Sequence, residues 1–188
     1  YELRNAFSVW YKNYFESVLD PSSEILPLIG SKEGIMHISL AFLGKGDQVL
    51  VPDPGYPTYS AAANIAEAEI INYDLKENNG WLPNLKALEK SNLKKVKIMW
   101  INYPHMPTGA SATGNDLLEI IQFGKKNNII ICNDNPYGFI LSDTQKSILK
   151  FKEVNNQILE LNSLSKSHNM AGWRIGMLAG GSTLIESV

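Results

Sequence analysis

A lysine and an arginine near the end of the chain have the side chains and spacing best suited to covalent chemistry. Lys166 stands among hydroxyl side chains, directly after the apolar run Ile158–Leu161. A lysine amine in such a position can attack a carbonyl carbon and form a Schiff base. Arg174, eight residues later, is flanked by Gly172 and Gly176, and its planar guanidinium can hold a phosphate. The alternative interpretation of this segment alone is a strand end followed by a solvated basic loop.

A candidate anion site is the segment Gly30–Gly34, which follows the apolar run Ile25–Ile29 and opens a predicted helix. Gly30 permits a tight turn, and Ser31 with the first free backbone amides can hold an anion at the positive end of the helix dipole. The spacing is not that of an ATP phosphate loop, so Lys32 is not assigned that role. For this segment alone, a simple serine N-cap is the favoured interpretation.

Two further segments follow predicted strands and carry aromatic or acidic side chains. Pro52–Tyr59 has three prolines and a glycine that stiffen a loop, from which Tyr56 can stack flat against a ligand ring. Tyr59 starts the next helix and is predicted to pack in the core. Asp134 and Tyr137 lie just beyond another predicted strand. The alternatives are an ordinary rigid turn for the first segment and a turn or cap role for Asp134.

The elements that must position these residues alternate between strands and helices. This alternation, with short loops and continuous apolar runs, predicts a three-layer α/β/α sandwich built on a mostly parallel sheet. Strands are predicted at Asp47–Val51, Glu69–Tyr73, Val96–Ile101, Ile129–Cys132, Ile158–Leu161 and Ile175–Ala179. Helices are predicted at Tyr1–Leu19, Lys32–Leu43, Pro57–Ala66, Asn84–Lys90 and Thr113–Asn127, and the first turns of another at Ser182–Val188.

All of the suggestive segments follow apolar runs, and this places them at one edge of the predicted sheet. In open α/β sheets, ligands bind beyond the carboxyl ends of the strands. The sequence therefore predicts one shared site. The helix at Thr113 also has a clear start signal, because Asp116 follows three residues later and can complete a capping box.

Composition narrows the class of protein. The 188 residues are 44% hydrophobic and 19% charged, with a formal net charge of −2. This balance provides no basic field for nucleic acid and no polybasic patch for a membrane. Cys132 is the single cysteine, so no intrachain disulfide can form, which fits a reducing compartment. No apolar run approaches the roughly 20 residues that span a bilayer, so a cytoplasmic, soluble protein is predicted.

Two other catalytic classes find no support in the sequence. His37, His105 and His168 lie far apart without metal-ligand spacing, so no metal site is predicted. A serine–histidine–aspartate triad is not indicated either, because no Gly-x-Ser-x-Gly elbow is present.

Five segments together resemble the class I/II aminotransferases, fold-type I enzymes of pyridoxal 5'-phosphate. They occur in the family's order, and their sequences are similar to those of the LL-diaminopimelate and aspartate aminotransferase branch. The segments are Gly30–Gly34, Pro52–Tyr59, Asn102–Gly109, Asp134–Tyr137 and Ser163–Gly176. The resemblance implies that residues 1–188 form the cofactor-binding large domain, as a fragment that lacks an N-terminal segment and a C-terminal small domain.

The resemblance also implies a role for each matching residue. Lys166 would form the Schiff base with the cofactor and shuttle protons, assisted by Asp134 at the pyridine nitrogen and Tyr137 at the phenolic oxygen. Tyr56 would stack on the pyridine ring. The residues implied to hold the phosphate are Ser31, Lys32, Ser163, Ser165 and Arg174.

Met106 departs from the family pattern Asn-x-Pro-x-Asn-Pro-Thr-Gly, in which it replaces the second asparagine. That asparagine donates a hydrogen bond to the phenolic oxygen of the cofactor, and methionine has no donor. We expect the loss of this donor to raise the pKa of the Schiff base, with water, Asn102 or His105 compensating in part. The alternative is that Met106 only fills an apolar gap.

The activity that the resemblance implies is transfer of an amino group between an L-amino acid and a 2-oxo acid, in a homodimer with the active site at the subunit boundary. Three alternatives remain open from the sequence. The same fold could host a lyase, decarboxylase or synthase reaction, a cofactor-binding sensor domain of a transcription regulator could share it, or the domain could bind nothing.

Overall fold

A single sheet of seven strands forms the centre of the computed structural model, which describes residues 1–140, 144–154 and 156–188. In chain order the strands are β1 (Ile25–Leu28), β2 (Gln48–Asp53), β3 (Glu69–Asp74), β4 (Val96–Ile101), β5 (Ile130–Asp134), β6 (Ile158–Ser163) and β7 (Gly176–Gly180). Their order across the sheet is β1-β7-β6-β5-β4-β2-β3. β7 is antiparallel to both of its neighbours, β1 and β6, whereas the other neighbouring pairs are parallel.

Helices cover both faces of this sheet. They are α1 (Glu2–Phe15), α2 (Ser31–Phe42), α3 (Thr58–Ile65), α4 (Leu85–Leu88), α5 (Gly114–Asn127), α6 (Leu164–Ser167) and α7 (Ser182–Ser187). On one face, α1 and α5 bury Tyr11 and Ile120 against strand residues. On the other, α2 and α3 bury Ile35 and Ala62. The predicted three-layer sandwich is confirmed.

The strand β4 shows why the central strands are continuous apolar runs. Ile98 and Trp100 belong to the core beneath α2 and α3, whereas Met99 and Ile101 belong to the core beneath α1 and α5. Successive side chains of a strand point to opposite faces, so a strand covered on both sides needs apolar residues at every position.

Most predicted elements lie close to their observed positions, with four differences. The single turn α6 was not predicted as a helix. The strand β1 was not predicted as a strand, because its four residues, including Pro27, form a short edge pairing with β7. The helix α1 ends at Phe15 rather than Leu19, because Glu16 adopts a left-handed conformation with φ of 52°. Around Leu85–Leu88 only one turn of helix forms. The predicted capping box at Thr113 is confirmed.

The connection between β6 and β7 places the lysine segment. Ser163 at the end of β6 pairs with Gly176 at the start of β7, and Leu164 N donates to Ile175 O at 3.1 Å. The intervening residues therefore form a closed loop that begins at the carboxyl end of β6 and returns to the sheet beside it, at the start of β7. Lys166 and Arg174 both lie on this loop.

Candidate active site

The predicted site residues gather in one cleft of about 390 Å³ at the carboxyl ends of the parallel strands. Its walls come from the start of α2, the loops after β2, β4 and β5, and the loop between β6 and β7. All ten residues predicted to bind the cofactor line it. The lining residues are Ser31, Lys32, Tyr56, Asn102, Met106, Asp134, Pro136, Tyr137, Ser163, Ser165, Lys166, Ala171 and Arg174. Their individual roles stay predictions.

The lysine is presented by α6, a single helical turn. Ser163 caps this turn, because its hydroxyl accepts a hydrogen bond from Ser165 N at 3.2 Å. Ser167 closes the turn by donating its hydroxyl to Ser163 O at 3.2 Å. Lys166 itself is exposed to the cleft. Ser165 Oγ is buried and has no partner among the described residues, so it is available to a ligand.

Asp134 is a buried carboxyl with one free oxygen. Its side chain is only 5% exposed at the end of β5. Oδ2 accepts a hydrogen bond from Tyr59 Oη at 3.0 Å, whereas Oδ1 has no partner among the described residues. Burial raises the pKa of Asp134 to about 7, the Tyr59 hydroxyl opposes this, and the charge of Glu160 adds to it. A cationic group bound in the cleft next to Asp134 would therefore stabilise the ionised form of this carboxyl.

Tyr59 contributes more than the predicted packing. Its ring is fully buried and stacks on Trp100, with ring centroids 4.9 Å apart and planes at 7°. The hydroxyl is the group that donates to Asp134. The sequence signal for this role is the position of Tyr59 three residues after Tyr56, at the start of the helix that follows the proline-rich loop.

The start of α2 and Arg174 form a cationic cradle. Gly30 has φ of 83°, and a Cβ at this position would overlap Arg174 Nη2. Arg174 is held by hydrogen bonds from Nη1 to Ala171 O at 3.2 Å and from Nη2 to Ile29 O at 3.4 Å. Lys32 Nζ lies 5.7 Å from the centroid of the Tyr56 ring. The guanidinium, the ammonium and the first amides of α2 can hold one anion between them.

The wall around Met106 is short of free donors. Asn102 Oδ1 accepts from Met106 N at 2.7 Å, and Asn102 Nδ2 donates to Asp134 O at 2.5 Å. His105 is buried with Nδ1 bonded to Thr108 Oγ1 at 2.8 Å, and it is not one of the residues that line the cleft. Of the two side chains proposed as compensating donors, the structure therefore places only Asn102 at the site.

The family model described as Aminotransferase class I and II matches residues 1–188. This chain belongs to that family. It is 45% identical over 188 residues to the LL-diaminopimelate aminotransferase of Dehalococcoides mccartyi strain CBDB1, covering 99% of the chain and 48% of that protein. With the LL-diaminopimelate aminotransferase of Aquifex aeolicus strain VF5 it shares 44% identity over 190 residues, covering 100% of the chain and 49% of that protein.

Solved aminotransferase-family structures agree in fold. The substrate-bound BacF structure from Bacillus subtilis has a TM-score of 0.94 at 34% identity, covering 98% of this chain and 47% of that one. The aromatic aminotransferase from Pyrococcus horikoshii has a TM-score of 0.92 at 32% identity, covering 99% and 50%. The chain spans about half the length of the curated relatives it matches.

The cofactor of this family is pyridoxal 5'-phosphate, and the cleft fits it. The free Oδ1 of Asp134 suits a protonated ring nitrogen, and the cradle of Arg174 and Gly30 suits the phosphate. Lys166 and Tyr56 both line the cleft, where they would supply an amine for the aldehyde and a ring for stacking. The ring nitrogen, the phosphate, the aldehyde and the ring face of the cofactor would therefore each meet a suitable side chain.

Two other kinds of site find no support where the structure can be described. Within residues 1–140, 144–154 and 156–188, histidine, cysteine, aspartate and glutamate form no group of three that could hold a metal ion. The same ranges contain no helix with the length and hydropathy needed to cross a bilayer.

Proposed function

We propose that the protein carrying this chain is a pyridoxal 5'-phosphate-dependent aminotransferase that moves an amino group between an L-amino acid and a 2-oxo acid. Residues 1–188 serve as its cofactor-binding large domain. The observation that carries the proposal is the shared cleft of Lys166, Asp134 and Arg174, which join an amine, a buried carboxyl with a free oxygen and an anion cradle.

When bound, the cofactor supplies an aldehyde that condenses with amines and a protonated ring that withdraws electrons from the substrate's Cα. Lys166 Nζ would carry the proton between the substrate's Cα and the cofactor's C4' carbon. Asp134 Oδ1 accepts a hydrogen bond from the ring nitrogen and keeps that nitrogen charged. The hydroxyl of Tyr137 donates to the phenolic oxygen, which matters more here because Met106 has no donor.

Residues at the start of α2 and on the β6–β7 loop would hold the cofactor through its phosphate. Arg174 pairs with it through its fork of donors, and Ser31, Ser163 and Ser165 add hydroxyls. The unpartnered Oγ of Ser165 supports this assignment. Tyr56, with Lys32 nearby, lines the cleft and would stack against the ring.

LL-Diaminopimelate is the amino donor to test first, because the relatives at about 45% identity are named for it. We also propose a cytoplasmic homodimer for the full-length protein. Large apolar side chains flank the cradle, with Ile29 67% exposed beside Gly30 and Trp173 71% exposed beside Arg174. Such exposed residues next to a polar cleft support a subunit boundary there.

The test uses the full-length protein with LL-diaminopimelate and 2-oxoglutarate, with formation of glutamate and loss of the 2-oxo acid as readouts. We expect Lys166→Ala to lower turnover by about 10²–10⁴-fold or more, because its amine is the proton carrier. Borohydride reduction should attach the cofactor to Lys166 in the wild type and not in the variant, as read by peptide mass. Release of ammonia or carbon dioxide without glutamate would instead indicate a lyase or a decarboxylase.

A further inference from the structure

Glu160 is a buried carboxyl that the proposed mechanism does not use. It lies in the middle of β6, is 0% exposed, and pairs with Asn133 on β5 and Ala179 on β7. Burying a carboxyl this deeply destabilises the fold unless hydrogen-bond donors replace the water that it has lost.

Four neutral donors compensate for that loss. Tyr11 Oη donates to Oε1 at 2.9 Å, Asn133 Nδ2 donates to Oε2 at 2.9 Å, and Ile148 N donates to Oε2 at 3.1 Å. The Ser147 hydroxyl is the fourth donor. Because all four are neutral, they stabilise a negative charge without cancelling it.

The directions of these hydrogen bonds are fixed by the groups behind them. Tyr11 Oη accepts from Asn162 Nδ2 at 3.0 Å, so its proton is free to point at Glu160. Asn133 Oδ1 accepts from Tyr103 N at 3.2 Å, which orients its amide N–H toward the carboxyl. A proton on Glu160 would meet donors on each side, so the ionised form is the one that this network satisfies.

Asp134 has the opposite surroundings. It lies on the neighbouring strand, one position beyond the residue that pairs with Glu160, and Tyr59 is its one described side-chain donor. Burial raises the pKa of both carboxyls, but only that of Asp134 is raised further by its neighbour's charge. The groups that face Glu160 are Tyr11 from α1, Asn133 from β5, Ala179 from β7, and Ser147 with Ile148. Asp134 follows Asn133 on β5, so its side chain points to the opposite face of the sheet. Of the two carboxyls, Asp134 is therefore the one that responds to a cation in the cleft.

We propose that Glu160 is a positioning residue, a carboxylate on the opposite face of the sheet from Asp134 whose negative charge helps to keep a positive charge bound next to Asp134. The inference rests on the proposed function, in which the bound positive charge is the protonated cofactor. Glu160 does not touch the cofactor and acts through Asp134.

The test compares two variants of the full-length protein loaded with pyridoxal 5'-phosphate. Glu160→Gln keeps the size and removes the charge, whereas Glu160→Asp keeps the charge and disturbs the hydrogen bonds. We expect the pH midpoint of the visible absorption band to fall by about 0.5–1 unit in Glu160→Gln, because a buried negative charge stabilises the protonated form. In Glu160→Asp it should stay within about 0.2 units of wild type.

A purely structural role would give a different pattern. Leu117→Ala, a control in the same layer as Tyr11, should lower the melting temperature and leave the midpoint unchanged. Equal shifts in both Glu160 variants, or none in Glu160→Gln, would overturn the inference. If Glu160→Gln does not fold, Tyr11→Phe can replace it, because it removes one donor to Glu160 and should lower the midpoint by a smaller amount. An unchanged midpoint in Tyr11→Phe would also contradict the inference. A wild type that develops no visible band with the cofactor would overturn the proposed function itself.

Discussion

Single atoms left without partners define the site at the scale of residues. Asp134 Oδ1 and Ser165 Oγ are both buried without a partner among the described residues, although their neighbours are well bonded. A buried unpaired polar atom costs about 1–3 kcal/mol, so a ligand in the cleft that bonds to these two atoms would gain binding energy. Asp134 and Ser165 could be predicted as site residues from the sequence. That these two side-chain atoms lack partners could not be predicted, because it depends on the hydrogen bonds that Tyr59 and Ser163 make.

Met106 is the residue at which the cofactor's electronic environment can be tested directly. In Met106→Asn, a new donor near the phenolic oxygen should lower the pH midpoint of the visible band by about one unit, because it stabilises the deprotonated form. The measurement is a spectral titration of the loaded full-length protein. Met106→Leu, which adds no donor, serves as control. A midpoint that does not move downward in Met106→Asn would contradict the assignment.

At the scale of elements, the strands were largely predictable and the connections were not. Continuous apolar runs such as Val96–Ile101 identify buried strands because both of their faces need apolar side chains. The antiparallel direction of β7 could not be read from its residues, since it depends on the loop that returns from β6. The second role of Tyr59 was missed for a similar reason. Its partner Asp134 is 75 residues away in sequence.

The junction between α2 and the β6–β7 loop predicts a strict requirement for glycine at position 30. In Gly30→Ala, the left-handed φ of 83° would strain the backbone, and the new Cβ would overlap Arg174 Nη2. We expect about 1–2 kcal/mol lower stability and at least about tenfold weaker cofactor binding, measured by unfolding and by cofactor titration.

The matched control for that change is Gly44→Ala. A Cβ at Gly44 would have its nearest described neighbour at 3.9 Å, so binding and stability should both be retained. Equal cofactor affinity in the two variants would show that the cradle does not depend on close approach of the backbone to Arg174.

At the scale of the whole molecule, the first helix is joined to the last part of the chain beneath the cleft. Trp10 stacks on Phe139 with ring centroids 5.2 Å apart and meets His168 edge-on at 5.5 Å. Tyr11 reaches Glu160 on β6. Periodicity predicted an apolar face on α1, but which strand it would cover is a property of topology.

The buried carboxyl of Asp134 should make global stability depend on pH. Burial raises its pKa from 3.8 to about 7, so between these values the native protein holds a proton that the unfolded chain has released. Native stability therefore falls as pH rises from about 4 to about 7, by as much as about 4 kcal/mol. In the cofactor-free full-length protein, Asp134→Asn should be more stable than wild type at pH 8 and similar to it near pH 4.

Denaturant unfolding at the two pH values measures this difference. Ser39→Ala, a buried change without a titrating group, should show the same change in the free energy of unfolding at both. A lower stability of Asp134→Asn than of the wild type at pH 8 would contradict the view that the buried charge of Asp134 destabilises the fold.

The hydrogen bond between Tyr11 and Glu160 spans 149 residues of sequence. Because α1 precedes β6 in the chain, the hydroxyl of Tyr11 has this acceptor only after β6 has been synthesised. A nascent chain that stops before β6 lacks both Lys166 and Glu160. We therefore expect such a chain to form no covalent adduct with the cofactor.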